Sequence, residues 1–235
     1  MAQAGSARSG APLPGEPGRG ALGRTTLAIH WALVLTVCCG VAAAPGLVAL
    51  GLLDGAASPW AVGLALLPVG PAVSATLYAW REQVRSEEHT APWRAFRRGY
   101  ARGVVDVLRV WVPALAVLTL IGSSALAVLA GGAPRGYLAP LAVLAVLVLL
   151  ASIQALVIAT FFSFRTRDAL RLAVHHVFRM PATTVSVLAL VICAVGVLWL
   201  AGDGVLVLLG GVFAFALRHA DTALVAHIER HYTAP

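Results

Sequence analysis

Long apolar runs alternate along this chain with short polar stretches rich in arginine. A helix rises about 1.5 Å per residue, so a run of roughly 20 apolar residues crosses the ~30 Å hydrocarbon core of a bilayer. Such runs lie at 27–53, 60–80, 108–130, 137–163, 183–201 and 204–217. Only Gly202 and Asp203 separate the last two, which predicts a tight helical hairpin ending in a short sixth span. The pattern therefore predicts an all-α, polytopic transmembrane bundle of six spans. Residues 1–26, rich in Gly, Ala, Pro and Ser, hold too little apolar surface to offset ordering and are expected to form a disordered tail. The apolar run after them is too long for a signal peptide, and further spans follow it. Residues 218–235 form a second tail.

Composition supports this reading and changes what the charge means. Hydrophobic residues make up 60% and charged ones only 11%, against about 25% charged in a soluble domain. The 17 basic residues are all arginine, and the net charge is +7. Taken alone, that charge would suggest nucleic acid, but the arginines sit at the ends of the apolar runs. With the N-terminus inside, residues 1–26, 81–107, 164–182 and 218–235, together with Arg109, carry every arginine except Arg135. Such an asymmetry orients a protein in a bilayer, and an odd number of spans would spoil it. The expected location is the bacterial cytoplasmic (inner) membrane with both termini cytoplasmic, and no nucleic-acid partner. Cys38, Cys39 and Cys193 all lie in apolar segments, where they read as small buried side chains rather than a disulfide framework.

Two of the inside stretches have helical periodicity. In 90–109, Trp93, Phe96, Tyr100, Val104 and Val107 fall on one face, while Arg94, Arg98 and Arg102 form a ridge roughly opposite, flanked by Arg97. Thr90 is the expected N-cap, and Pro92 suits the first turn. The helix is expected to lie in the membrane interface and then turn inward as the third span. In 166–180 the ridge is Arg167, Arg171, His175 and Arg179, and Met180-Pro181 ends the helix. Both helices read either as lipid-touching orientation signals or as docking surfaces for a partner, since the planar arginine fork suits carboxylates.

Few residues suggest chemistry. A chain without lysine cannot form the G-x-x-x-x-G-K-[ST] phosphate loop, so any ATP is bound by another protein. No charged residue falls in the middle of a span. Asp106 and Arg109 read as a local pair at the mouth of the third span, and His30 as an interfacial imidazole. Gln154 is the most polar side chain near a span centre; with Ser152 and Thr160 it reads as interhelical hydrogen bonding, or else as a sparse polar path. Pro68, Gly70 and Pro71 interrupt the second span, either as a packing kink or as the discontinuous helix of a transporter. Ser123-Ser124 suggests close helix contact. The pairs His175-His176 and His227/His231 fit no metal motif, and neither a nucleophile elbow nor a cofactor site is present.

Residues 66–103, LLPVGPAVSATLYAWREQVRSEEHTAPWRAFRRGYARG, carry a Gly70-Pro71 step, a small-residue segment ending near Tyr78, a charged turn, and an aromatic-basic helix with Trp93, Phe96, Arg97 and Arg98. This segment resembles the YesL family of bacterial membrane proteins. The resemblance implies a small multi-span protein with no known reaction, in an accessory or regulatory role beside a binding-protein-dependent (ABC-type) carbohydrate importer. The combined expectation is a non-enzymatic accessory subunit in contact with lipid and with importer permease or ATPase subunits. A stand-alone channel or facilitator is the alternative.

Overall fold

A computed structural model of the chain describes residues 21–53, 58–85, 91–161, 181–201 and 210–220, and within these every regular element is helical. The helices are α1 (Ala21–Leu52), α2 (Pro59–Ala65), α3 (Val69–Arg85), α4 (Pro92–Ala127), α5 (Leu138–Phe161), α6 (Pro181–Ala201) and α7 (Gly210–Ala220). Four apolar helical stretches are long enough to cross a membrane: Thr25–Leu52, Pro59–Gln83, Pro92–Gly132 and Arg135–Phe161. They coincide with the first four runs of the sequence. Helix α6 has a shorter apolar stretch, Thr184–Val197, and α7 has 11 residues.

The first span is one helix that passes through Pro45. In the second, α2 and α3 are separated at Leu66–Pro68, because Pro68 has no N–H to continue the ladder. Leu66 N–H still reaches Val62 O at 3.0 Å, while Leu67 N–H bonds Leu64 O at 3.2 Å in a tighter turn. The third span ends in a wider turn over Val128–Gly132, where Gly131 takes φ 89°, a left-handed conformation that closes helix ends and favours glycine.

Helix α4 corrects one expectation. The segment 92–109 does not lie apart in the interface and turn inward; it forms the first turns of the same unbroken 36-residue helix as the third span. At ~54 Å such a helix is longer than the ~30 Å apolar core is thick. The helix continues through Pro113, and packing explains why its first turns stay against α3. Ala95 and Gly99 are buried against α3, and a Cβ on Gly99 would stand only 2.7 Å from Tyr78 Cδ1. Small side chains let the two backbones approach, and the antiparallel α3–α4 pair forms the most extensive contact of the bundle. Its start also differs in detail: Ala91 occupies the cap position without a side-chain cap bond, Pro92 sits at the first turn as expected, and Thr90 lies outside the described residues.

Helix α1 packs on α3, α5 on α4, and α7 against α1, α3 and α6. Trp31, Leu35, Leu77, Trp80, Trp111 and Leu156 form the centre of the buried core. Leu33, Val41, Leu120, Val143 and Ile192 are exposed, as expected of an apolar outer surface solvated by lipid. Of the cysteines, Cys39 is buried, Cys38 partly buried and Cys193 exposed, and all are free.

Candidate functional site

The arginines at the start of α4 are divided between two environments. Arg98 Nη1 lies 3.9 Å from Glu82 Oε1, and Arg102 Nη1 donates to Tyr78 Oη at 3.4 Å, so α3 holds this pair. Arg94 and Arg97 instead stack on Trp93, each guanidinium carbon 5.5 Å from the ring centroid. Cation–π contacts at such exposed sites contribute about 0.5–1 kcal/mol each. All four arginines are exposed, and Trp93 is 47% exposed. The apolar stripe of this segment is only partly sunk into the core: Phe96 and Val107 are buried, Tyr100 and Val104 intermediate. The Asp106–Arg109 pair forms as expected, at 2.9 Å and largely exposed. Arg167, Arg171 and Arg179 lie outside the described residues, as do His175, His176, His227 and His231. Among the described residues no cluster of His, Cys, Asp or Glu could hold a metal ion. His30 is exposed.

The break in the second span is packed rather than solvated. Trp111 of α4 donates its indole Nε1–H to Leu66 O at 3.1 Å, and its ring lies over Gly70, where a Cβ would meet Trp111 Cγ at 2.6 Å. Pro68 is partly buried, and Gly70 and Pro71 are buried. Gly70 is thus a packing contact for the Trp111 ring.

Gln154 is fully buried on α5. Its Nε2 donates to Thr184 Oγ1 of α6 at a long 3.4 Å, and its Oε1 has no hydrogen-bond partner. Ser152 does not join it: its hydroxyl bonds back to Val148 O of its own helix. Thr160 makes the interhelical bond expected of such residues, pairing with Ser74 at 2.8 Å. Ser123 and Ser124 bond back to Thr119 O and Leu120 O of their own helix, at 2.8 and 2.9 Å. The expected polar residues therefore do not converge on a common path.

A half-open cavity of about 350 Å³ does lie where α1, α3, α4, α5, α6 and α7 meet. Its described walls, including Leu47, Val73, Trp111, Leu156, Val191 and Phe213, are almost wholly apolar, and neither Gln154 nor Ser152 contributes. Such a wall offers a polyol almost nothing to replace its hydrogen bonds to water, and each unmatched bond would cost about 1–3 kcal/mol.

Two contacts were not legible in the sequence. The Trp111 cap of the broken span is one. The other is a clasp on α7, where Trp80 Nε1–H donates to Gly211 O at 3.2 Å and Gly211 N–H donates to Thr36 Oγ1 at 3.0 Å. Trp80 also packs against Trp31 and Phe215, with ring centroids at 6.5 and 4.9 Å. Tryptophans in apolar runs are the only signal the sequence offers for either contact. Comparison of the chain with protein-family models, curated proteins and solved structures gave no match.

Proposed function

We propose that this protein is a bacterial inner-membrane protein of six spans with both termini cytoplasmic. In this reading it has no enzymatic activity and serves as an accessory or regulatory subunit docked on a carbohydrate ABC-type importer. The observation that carries the reading is the exposed row of Arg94, Arg98 and Arg102 in the first turns of α4. Exposed guanidiniums on a rigid helix form a docking edge suited to carboxylates of a partner. The one-sided distribution of arginine supports the orientation. Helices α6 and α7, with the apolar sequence between them, supply the fifth and sixth spans. The likeness of residues 66–103 to the YesL family supports the choice of partner. The apolar cavity wall favours dependence on a partner over a self-sufficient sugar path.

Reversing Arg94, Arg98 and Arg102 to glutamate should abolish co-purification with importer subunits from native membranes while leaving membrane insertion intact. Inverted insertion would reduce the row to an orientation signal. Sugar flux through liposomes holding this protein alone would overturn the accessory role. A reporter fused to the C-terminus and found outside the cytoplasm would overturn the six-span topology.

A further inference from the structure

We propose that the cleft between α1 and the first turns of α4 binds one anionic glycerophospholipid, with its phosphate on Arg97 and an acyl chain along α1. The cleft is a shallow, open groove, separate from the half-open apolar cavity, with a volume of about 460 Å³. Its α1 wall is wholly apolar, formed by Val37, Cys38, Val41 and Ala42. On α4 it is bounded by Trp93, Phe96 and Tyr100, with Arg97 as its one charged residue. Phe96 and Tyr100 are stacked, with centroids 6.2 Å apart and planes at 26°, giving a flat wall against which a chain of methylenes can lie.

Arg97 is prepared for an anion. Its guanidinium lies against the Trp93 ring, which restricts its rotamers, and no carboxylate among the described residues pairs with it, since Glu82 engages Arg98. The planar fork can hold two phosphate oxygens at once. Arg97 lies in the basic first turns of α4, while Val37 and Val41, 65% and 70% exposed, lie within the apolar stretch of α1. A cation beside an apolar wall matches the phosphate and acyl chain of a phospholipid. A sugar or an acidic peptide would leave that wall uncovered. A zwitterionic headgroup would set its own cation beside Arg97.

The site adjoins the docking row at Trp93, on whose ring Arg94 also stacks, but it uses a different cation. At ~100° per residue, the face bearing Trp93, Phe96, Arg97 and Tyr100 is centred about 150° from the face bearing Arg94, Arg98 and Arg102. The lipid proposal therefore stands or falls independently of the importer reading.

The test is native mass spectrometry of the full chain, purified in mild detergent, delipidated and titrated with phosphatidylglycerol or phosphatidylcholine of identical chains. One phosphatidylglycerol adduct should persist, retained at least about fivefold better than phosphatidylcholine. Arg97→Gln should reduce it about five- to tenfold, and Val41→Trp, which fills the groove and keeps the guanidinium, should reduce it as well. Arg135→Gln, an exposed arginine remote from the cleft, should leave it intact. Dibrominated phosphatidylglycerol should quench the Trp93 fluorescence, read as the difference between the wild type and Trp93→Phe. Equal retention of the two lipids, or indifference to either cleft variant, would overturn the proposal. Displacement by glycerol 3-phosphate would reveal a phosphate site without a lipid and would also refute it. So would loss of importer subunits from Arg97→Gln with its lipid retained, which would make the cleft a protein surface.

Discussion

Gly70→Ala should destabilise the protein, although alanine is the better helix former. Gly70 is the second residue of α3, its φ is negative, and its backbone conformation is open to alanine. The obstacle is Trp111. A Cβ on residue 70 would lie 2.6 Å from Cγ, 2.7 Å from Cδ1 and 2.9 Å from Cδ2 of the indole. Contacts this short force the ring to move, and overpacking of this kind costs about 1–3 kcal/mol. Displacement of the ring also breaks the bond to Leu66 O, adding about 0.5–1.5 kcal/mol. The gain from replacing glycine in a helix offsets at most about 1 kcal/mol. The expected net loss is about 1–3 kcal/mol. Gly196 on α6 provides the control, because nothing lies within 4 Å of its Cβ position. There only the helix-propensity gain operates, so Gly196→Ala should be neutral or stabilising. Reversible unfolding of the purified protein in mixed micelles, followed by circular dichroism against denaturant, would give both changes. Trp111→Leu removes most of the ring and should abolish the penalty at position 70, a coupling of about 1–3 kcal/mol between the two sites. Equal shifts for Gly70→Ala and Gly196→Ala, or an undiminished penalty in Trp111→Leu, would refute the idea that this glycine is a seat for the indole.

The same unfolding assay reads two further contacts, and hydrogen exchange reads a third. Gln154→Leu should be neutral or stabilising by up to about 2 kcal/mol, because it removes a buried Oε1 without a partner and sacrifices only a 3.4 Å bond. Gln154→Glu should be strongly destabilising, since it would bury a carboxyl group at the same place. Trp80→Phe keeps most of the ring packing but loses the bond to Gly211 O, so hydrogen exchange within Gly210–Ala220 should quicken about tenfold while α5 is unaffected. Asp106→Asn should change stability by less than about 1 kcal/mol, because the 2.9 Å pair with Arg109 is 62–63% exposed.

The architecture was legible in the sequence where hydrophobic length alone determined it. The first four apolar runs became helices of membrane-crossing length, because a backbone in hydrocarbon must satisfy its own hydrogen bonds. Pro68 marked a place where the second span could break, since its imino nitrogen cannot donate, although Pro45 and Pro113 lie inside continuous helices. Asp106 and Arg109 paired as their spacing required, since i,i+3 neighbours meet on any helix. All three are local consequences of covalent structure and helix geometry.

Other features were decided only by packing. The basic segment 92–109 carried the pattern of an interfacial helix, yet Ala95 and Gly99 drew it against α3 as a helical continuation of the third span. Periodicity weighs large apolar side chains and gives little weight to the small ones that let two backbones approach. The pattern likewise placed Arg94, Arg98 and Arg102 on one ridge, but only the neighbouring Glu82, Tyr78 and Trp93 separated the two held by α3 from Arg94, which stacks with Arg97 on the Trp93 ring. Gln154 and Ser152 share a helix and a polar character; α6 supplied a partner for one, while the other turned back to its own backbone. Hydrophobic length and backbone chemistry act along the chain and are written in it. Which side chains meet depends on helices far apart in sequence, and that only the assembled bundle determines.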